Sequence, residues 1–310
     1  MLIQKICYSW TRLMSELNGK EDYWHVRLKP YCGDASPYEE VYYLDMSPKA
    51  DYAGDFQDGL PIFYYNGKYP VFLYVTILNY ALGLLNRKHQ GENVDQKLHD
   101  VVEYLVRTQL PDGTWRHTFP KEVNSVLDGK ASGMVQGLAI SFLIRASRMA
   151  LIDQDCCRQI ITKAYQVLLS DEFVTTINGR RLIEKIYNPG TSVLNGALFA
   201  LLGVYDYNRY VGKFDDFNAL FADLVALLPM YDFHGWSYYD AHKMICSGFY
   251  QQLHVDLLDV FYTLTERSEI NYWRQRWRRQ RWRSYFILRK ALQKGLHWQG
   301  MVMNASSRIE

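Results

Sequence analysis

Residues 132–150 read SGMVQGLAISFLIRASRMA, and residues 191–207 read TSVLNGALFALLGVYDY. Both stretches follow a helical period and predict helices, each with glycine in its first turns. Similar periods recur from about residue 72, at 72–87, 95–109, 155–170, 213–228, 247–266 and 269–291. Turn signals separate them: Pro111-Asp112-Gly113, Asn188-Pro189-Gly190 and His234-Gly235. Helices of this length joined by short loops predict a mainly α fold, an incomplete α/α barrel (toroid) of antiparallel helix pairs. Residues 174–188 interrupt the series. There Asn178-Gly179 sits between alternating residues and predicts a protruding β-hairpin.

Upstream the character changes. Residues 2–17 carry Leu2, Ile6, Trp10, Leu13 and Leu17 on one stripe and predict an amphipathic helix. Residues 18–70 are rich in Gly, Pro, Asp and Tyr. Within them EEVYYLDM reads as a strand, and IFYYNGKYPV as a hairpin turned at Asn66-Gly67. The expected division is therefore an N-terminal helix plus β-hairpin and loop section over 1–70, and the α/α barrel over 71–310.

Composition excludes several classes. A net charge of +2 over 310 residues does not suit a nucleic-acid binder. The five cysteines have no metal-ligand spacing, and Cys156-Cys157 are adjacent, a poor geometry for a mutual bridge. No Walker loop, dinucleotide fingerprint, HExxH or GxSxG motif is present, so neither cofactor nor metal is expected. The N-terminus lacks a continuous apolar signal region, and the longest apolar run, Val71 to Leu78, is far too short for a bilayer. A cytoplasmic protein is expected, or one peripheral to the inner membrane. The 25 tyrosines and 8 tryptophans exceed what a core needs, because a buried hydroxyl must find a partner. Rings with polar edges suit a sugar, whose faces are apolar and whose rim is polar; a Tyr-rich core is the other reading.

Five motifs carry the candidate chemistry, and each has a structural alternative. Gln136 either binds sugar hydroxyls or caps a loop, and the glycines beside it serve a ligand or close helix packing. Asn195 projects near a helix N-terminus, where N–H groups favour an anion such as a uronate carboxylate, or it is a satisfied core residue. Tyr239, Asp240, His242 and Lys243 precede a helix on which Tyr250 and His254 share a face at i, i+4; this is the densest set of titratable groups in the chain. Trp115 stacks a sugar or packs a turn. The run YWRQRWRRQRWR at 272–283 holds six arginines. It binds an acidic polysaccharide or anionic lipid heads, or packs by its Trp face with the arginines solvated.

The runs SGMVQGLAISFLIRA, NPGTSVLNGALFALLGVYD, LLPMYD before SYYDAHK, and FYQQLHVDLLDVF occur in an order that resembles the helical C-terminal domain of glucuronyl C5-epimerases, which act on heparosan-type polymers. The resemblance extends over about residues 58–285, from DGLPIFYYNGKYPVFLYVTILNYALGL to YWRQRW. It implies removal of the proton at carbon 5 of a D-glucuronate residue and its return to the opposite face, giving L-iduronate. It carries catalytic tyrosines onto Tyr239 and Tyr250 and a further tyrosine onto Tyr187, with His254 in support. Glu184 is the nearest acid to the glutamate that accompanies that third tyrosine. The family's carboxylate-binding arginine falls on His242, a departure; His242, Lys243, Arg180 and Arg181 are the candidates to replace it. Gln136, Asn195, Trp115, Tyr65 and Tyr69 are the remaining expected substrate contacts. The partners implied are an anionic polysaccharide and a second copy in a homodimer, with weak membrane-surface association through the Arg/Trp helix. The short section before the helical domain suits a bacterial member. A polysaccharide lyase, which begins with the same proton abstraction, and a non-catalytic glycan-binding protein are the rival readings.

Overall fold

The glycine-spaced apolar stretches become the most deeply buried helices. The computed structural model describes residues 23–31, 37–65, 67–123, 125, 128–183, 191–279 and 285–290. The expected helix over 2–17, Glu184, Tyr187 and the Asn188-Pro189-Gly190 turn lie outside the described residues. The described chain is mainly helical, with strands only as short antiparallel pairs. It divides into two compact units, Leu28–Leu228 and Met1–Arg27 with Pro229–Glu310.

The unit Leu28–Leu228 contains helices α1 (Ser47–Ala50), α2 (Tyr74–His89), α3 (Asp95–Thr108), α4 (Gly133–Arg148), α5 (Gln154–Leu168), α6 (Leu194–Val211) and α7 (Asp215–Leu227). The long helices alternate in kind. Helices α2, α4 and α6 are buried over most of their surface, whereas α3, α5 and α7 bury one stripe each. On α3 that stripe is Leu98, Val101, Val102 and Leu105, an i, i+3, i+4, i+7 set. The inner helices pack on one another, and each is followed in sequence by an outer helix that packs against it.

Helices α4 and α6 make the most extensive helix–helix contact, and two glycines allow it. A Cβ on Gly137 would lie 2.6 Å from Ala200 Cα, and one on Gly203 would meet the Gly137 backbone. Gly137 of this motif therefore serves close packing, the structural alternative named above.

Across the same pair of helices runs a buried ion pair, Arg145 Nη1 to Asp206 Oδ2 at 2.8 Å. It corrects the strand expected over EEVYYLDM. Val41 to Leu44 are all buried, where a strand with one solvated face would alternate. Arg145 Nε donates to Val41 O at 2.8 Å, and Tyr43 Oη donates to Asp206 Oδ1 at 2.6 Å. The segment is thus held by side chains from two helices and by the bridge of Leu44 with Pro30, where Tyr31 N donates to Tyr43 O at 2.9 Å and Asp45 N to Lys29 O at 2.8 Å. Burial and the Asp206 charge push the Tyr43 hydroxyl well above its ordinary range, so it remains a donor.

The expected hairpins form. Strands β1 (Phe56–Gln57) and β2 (Leu60–Pro61) pair around Asp58-Gly59, both at positive φ, a turn signal the sequence reading passed over. Strands β3 (Phe63–Tyr65) and β4 (Tyr69–Val71) pair with Tyr65 opposite Tyr69. Strands β5 (Val174–Ile177) and β6 (Arg180–Ile183) turn at Asn178-Gly179, with φ of 51° and 74°.

The other unit contains β7 (Asp232–Phe233) and β8 (Trp236–Ser237), turned at His234-Gly235, then α8 (Gly248–Thr265) and α9 (Ser268–Arg278). Ser247 caps α8, its Oγ accepting from Tyr250 N. Helix α8 is largely buried and α9 lies against it. The single helix expected over 269–291 is corrected: α9 ends at Arg278, where Arg279 leaves helical geometry, and residues 285–290 are helical again. Trp277 explains the anchoring of α9. It is fully buried, and its Nε1 donates to Asp232, which also accepts two bonds from Arg276. Residues 23–27 belong to this unit through Arg27, whose guanidinium grips Asp256 of α8 at 3.1 and 3.2 Å. Among the described residues no helix is long and apolar enough to cross a membrane.

Candidate active site

The densest motif of titratable groups folds around β8 and the start of α8. After Ser237 the chain stays extended. Ser237 O accepts from Cys246 N, Tyr238 bridges Ile245, and Tyr239 N donates to Met244 O at 2.6 Å. Residues 240–243 form the tight connection, with Asp240 Oδ1 accepting from Met244 N and Lys243 at a left-handed φ of 62°. His242 and Lys243 are therefore exposed on this loop, while Asp240 is half-buried.

This ribbon carries Tyr239 onto the first turn of α8. Its ring meets that of Tyr250 at 4.8 Å between centroids with the planes at 62°. Both rings are half-buried and pack against Trp236, Ile245, Cys246 and Phe286. Two tyrosines eleven residues apart in the sequence are thus brought into direct contact.

His254 lies one turn further along α8 and is fully buried. Its Nδ1 is 2.7 Å from Ser237 Oγ and 3.7 Å from Cys246 Sγ. Neighbouring bonds assign the tautomer. Gln251 Nε2 donates to Trp277 O at 2.9 Å, which leaves Gln251 Oε1 as acceptor for both Ser237 N, at 2.6 Å, and Ser237 Oγ, at 2.7 Å. The Ser237 hydroxyl proton is committed to Gln251, so His254 Nδ1 carries the hydrogen and donates to Ser237 Oγ. Burial pushes the imidazole down to about 3, so it is neutral at ordinary pH. Ser237 and Gln251, both fully buried, are members of this site that the sequence reading did not single out. The available signal was a glutamine inside an otherwise apolar helical stripe, a position that needs a polar partner.

The remaining expected residues lie in the unit Leu28–Leu228. Gln136 is fully buried; its Oε1 accepts from Trp115 N at 3.2 Å and its Nε2 donates to Gly113 O at 3.0 Å. Trp115 is fully buried too, with Nε1 donating to Leu105 O. Both do what their structural alternatives describe, holding the 111–115 turn against α3 and α4. Asn195 lies in the first turn of α6 with its Oδ1 buried and without a hydrogen-bond partner among the described residues. Arg180 and Arg181 extend from β6, about half exposed, and both pair with Asp223 of α7. Tyr65 and Tyr69 face one another across the β3–β4 hairpin beside Phe119 and Val123.

Among the described residues of the Arg/Trp run, three arginines are paired with carboxylates. Arg274 and Arg278 pair with Asp259, and Arg276 with Asp232. Among the described residues no group of three or more His, Cys, Asp or Glu side chains could hold a metal.

Residues 111–279 match the family model for the C-terminus of D-glucuronyl C5-epimerase. The match runs from the Pro111 turn through α4 to α9 and takes in Tyr239, Tyr250 and the buried bonds of Ser237, Gln251 and His254. Because it spans more than half of the 310 residues, the chain belongs to the D-glucuronyl C5-epimerase family.

Proposed function

We propose that this protein inverts carbon 5 of D-glucuronate residues in a heparosan-like or other glucuronate-containing polysaccharide, giving L-iduronate, with Tyr239 and Tyr250 as the proton carriers. The observation that carries the reading is the direct contact of these two half-buried rings within the family-matched span. One tyrosine, as phenolate, takes the carbon-5 proton, and the electron pair passes into the adjacent carboxylate as an enolate-like intermediate. The other tyrosine then gives its hydroxyl proton to the opposite face. The two exchange protonation states over one turnover, so no proton is gained or lost overall.

The intermediate needs positive charge or donors beside the carboxylate. His242 and Lys243, exposed on the loop next to Tyr239, are the proposed clamp. Arg180 and Arg181 are the alternative, already engaged with Asp223. The polymer is proposed to meet this loop rather than α9, whose arginines are mostly neutralised by Asp232 and Asp259. Asn195, Tyr65, Tyr69 and Tyr187 stand as further proposed contacts; Gln136 and Trp115 are walled in and are left out. Within Leu28–Leu228, the alternation of largely buried helices (α2, α4, α6) with one-striped helices (α3, α5, α7) supports paired inner and outer helices of the α/α kind as the scaffold.

Incubation with heparosan in deuterated water tests the reading. Deuterium should enter carbon 5, seen by NMR, and Tyr250→Phe should abolish the exchange. An unsaturated, ultraviolet-absorbing product would show a lyase instead. Binding of the polymer without exchange would show a glycan-binding protein.

A further inference from the structure

We propose that Gln251 and His254, acting through Ser237, are positioning residues that set the spacing of the Tyr239–Tyr250 pair. The proposal rests on the reading of that pair as the proton carriers. It follows from two matched repeats. Two residues of extended chain advance about 6.7 Å. Four residues of α-helix advance about 6 Å. Ser237 and Tyr239 are two apart on the extended ribbon and both reach α8; His254 and Tyr250 are four apart on α8. The ribbon and helix therefore meet as two successive rungs, Ser237 on His254 and Tyr239 on Tyr250.

The rungs differ in exposure. Ser237, Gln251 and His254 are each at or near 0% exposure, whereas both tyrosines are half-buried. The inner rung is directional and dry, so it admits one register. Sliding the ribbon by one residue would turn the Ser237 side chain to the opposite side. Gln251 Oε1 and His254 Nδ1–H would then be buried without partners, which is far more unfavourable than losing a solvated bond. The same Gln251 amide bonds to Trp277 O, so the C-terminal end of α9 is tied to the register as well. An apolar contact would tolerate sliding; this one does not. The outer rung inherits its geometry from the inner one.

Two readouts decide the matter on the full chain. The first is carbon-5 deuterium exchange on heparosan, resolved into kcat and KM for folded protein. The second is 19F NMR of 3-fluorotyrosine-labelled protein, with the Tyr239 and Tyr250 resonances assigned by their Phe variants. Ser237→Ala and His254→Leu should lower kcat by about tenfold or more with KM little changed, because misalignment acts on the chemical step. They should also shift or broaden both tyrosine resonances. His254→Asn, which keeps a donor near the Nδ1 position, should recover most of both properties. If Ser237→Ala does not fold, Ser237→Cys, close in shape but a weak hydrogen-bonding group, takes its place. Wild-type kcat and unmoved resonances in a folded Ser237 variant overturn the proposal. If the wild type itself exchanges no deuterium, the proton-carrier reading fails while the NMR arm still decides the positioning claim.

Discussion

Tyr239 and Tyr250 each offer one hydroxyl to the proposed chemistry, and Phe substitution removes that atom while leaving the ring contact with the Trp236 cluster. Tyr239→Phe should therefore fold as the wild type does, with an unchanged thermal midpoint, yet lose about a hundredfold or more in carbon-5 exchange. His254 makes a different prediction. Its imidazole titrates at about 3 in the folded protein against 6.5 in the unfolded chain, because burial disfavours the cation. Between those values the unfolded state binds the extra proton. The contribution of His254 to stability is thus complete above pH 6.5 and is lost as pH falls toward 3, at about 1.4 kcal/mol per pH unit. Denaturant unfolding of wild type and His254→Asn at several pH values should show the variant with the shallower acid slope. The tyrosines were legible in the sequence because their motifs stand clear of the surrounding apolar pattern. Ser237 and Gln251 were harder to read, because a glutamine on a buried helical face asks for a polar partner without saying which residue supplies it.

At the scale of the elements, the α4–α6 contact depends on absent side chains. Gly137→Ala would place a Cβ 2.6 Å from Ala200 Cα, backbone against backbone, so neither neighbour can rotate away. The substitution should destabilise by about 1–3 kcal/mol or more, seen as a lower urea midpoint, despite the better helix propensity of alanine. Arg145→Met should be costlier, about 3–5 kcal/mol, because Asp206 and the Val41 carbonyl would remain buried without the guanidinium. The seven helices expected between residues 72 and 266 were legible from period alone, and their observed bounds fall within a few residues of the expected ones, whereas the one expected over 269–291 stops at Arg278. The EEVYYLDM segment was not. Its β-branched and aromatic residues suit a strand, but a charge pair more than a hundred residues away dictates where its carbonyls and hydroxyl go. The Arg/Trp run shows the same limit. Its stripe predicts a helix, and nothing local says that Asp232 and Asp259 will neutralise the arginines.

For the molecule as a whole, a near-neutral net charge means that the proposed recognition of an anionic polymer would fall to a few local cations. Added salt should therefore raise KM for the polymer while kcat stays nearly constant, since screening weakens exposed contacts and leaves the half-buried tyrosines alone. A kcat that falls in parallel would mean that the clamp acts in the chemical step itself. Composition and motif order sufficed to expect a helical epimerase-type protein. The partition of the chain was beyond them, because a unit assembled from both ends has no signature in any single window.

That partition has a consequence for biogenesis. Arg27 and Asp256 are separated by 229 residues, and the chain between them contains the whole of Leu28–Leu228. On the ribosome, Leu28–Leu228 emerges complete and can collapse while synthesis continues. The segment around Arg27 must wait, unpaired, until α8 has left the exit tunnel. The tyrosine-bearing unit therefore assembles after Leu28–Leu228, and a nascent chain stalled before α8 would lack the contact of its proposed proton carriers.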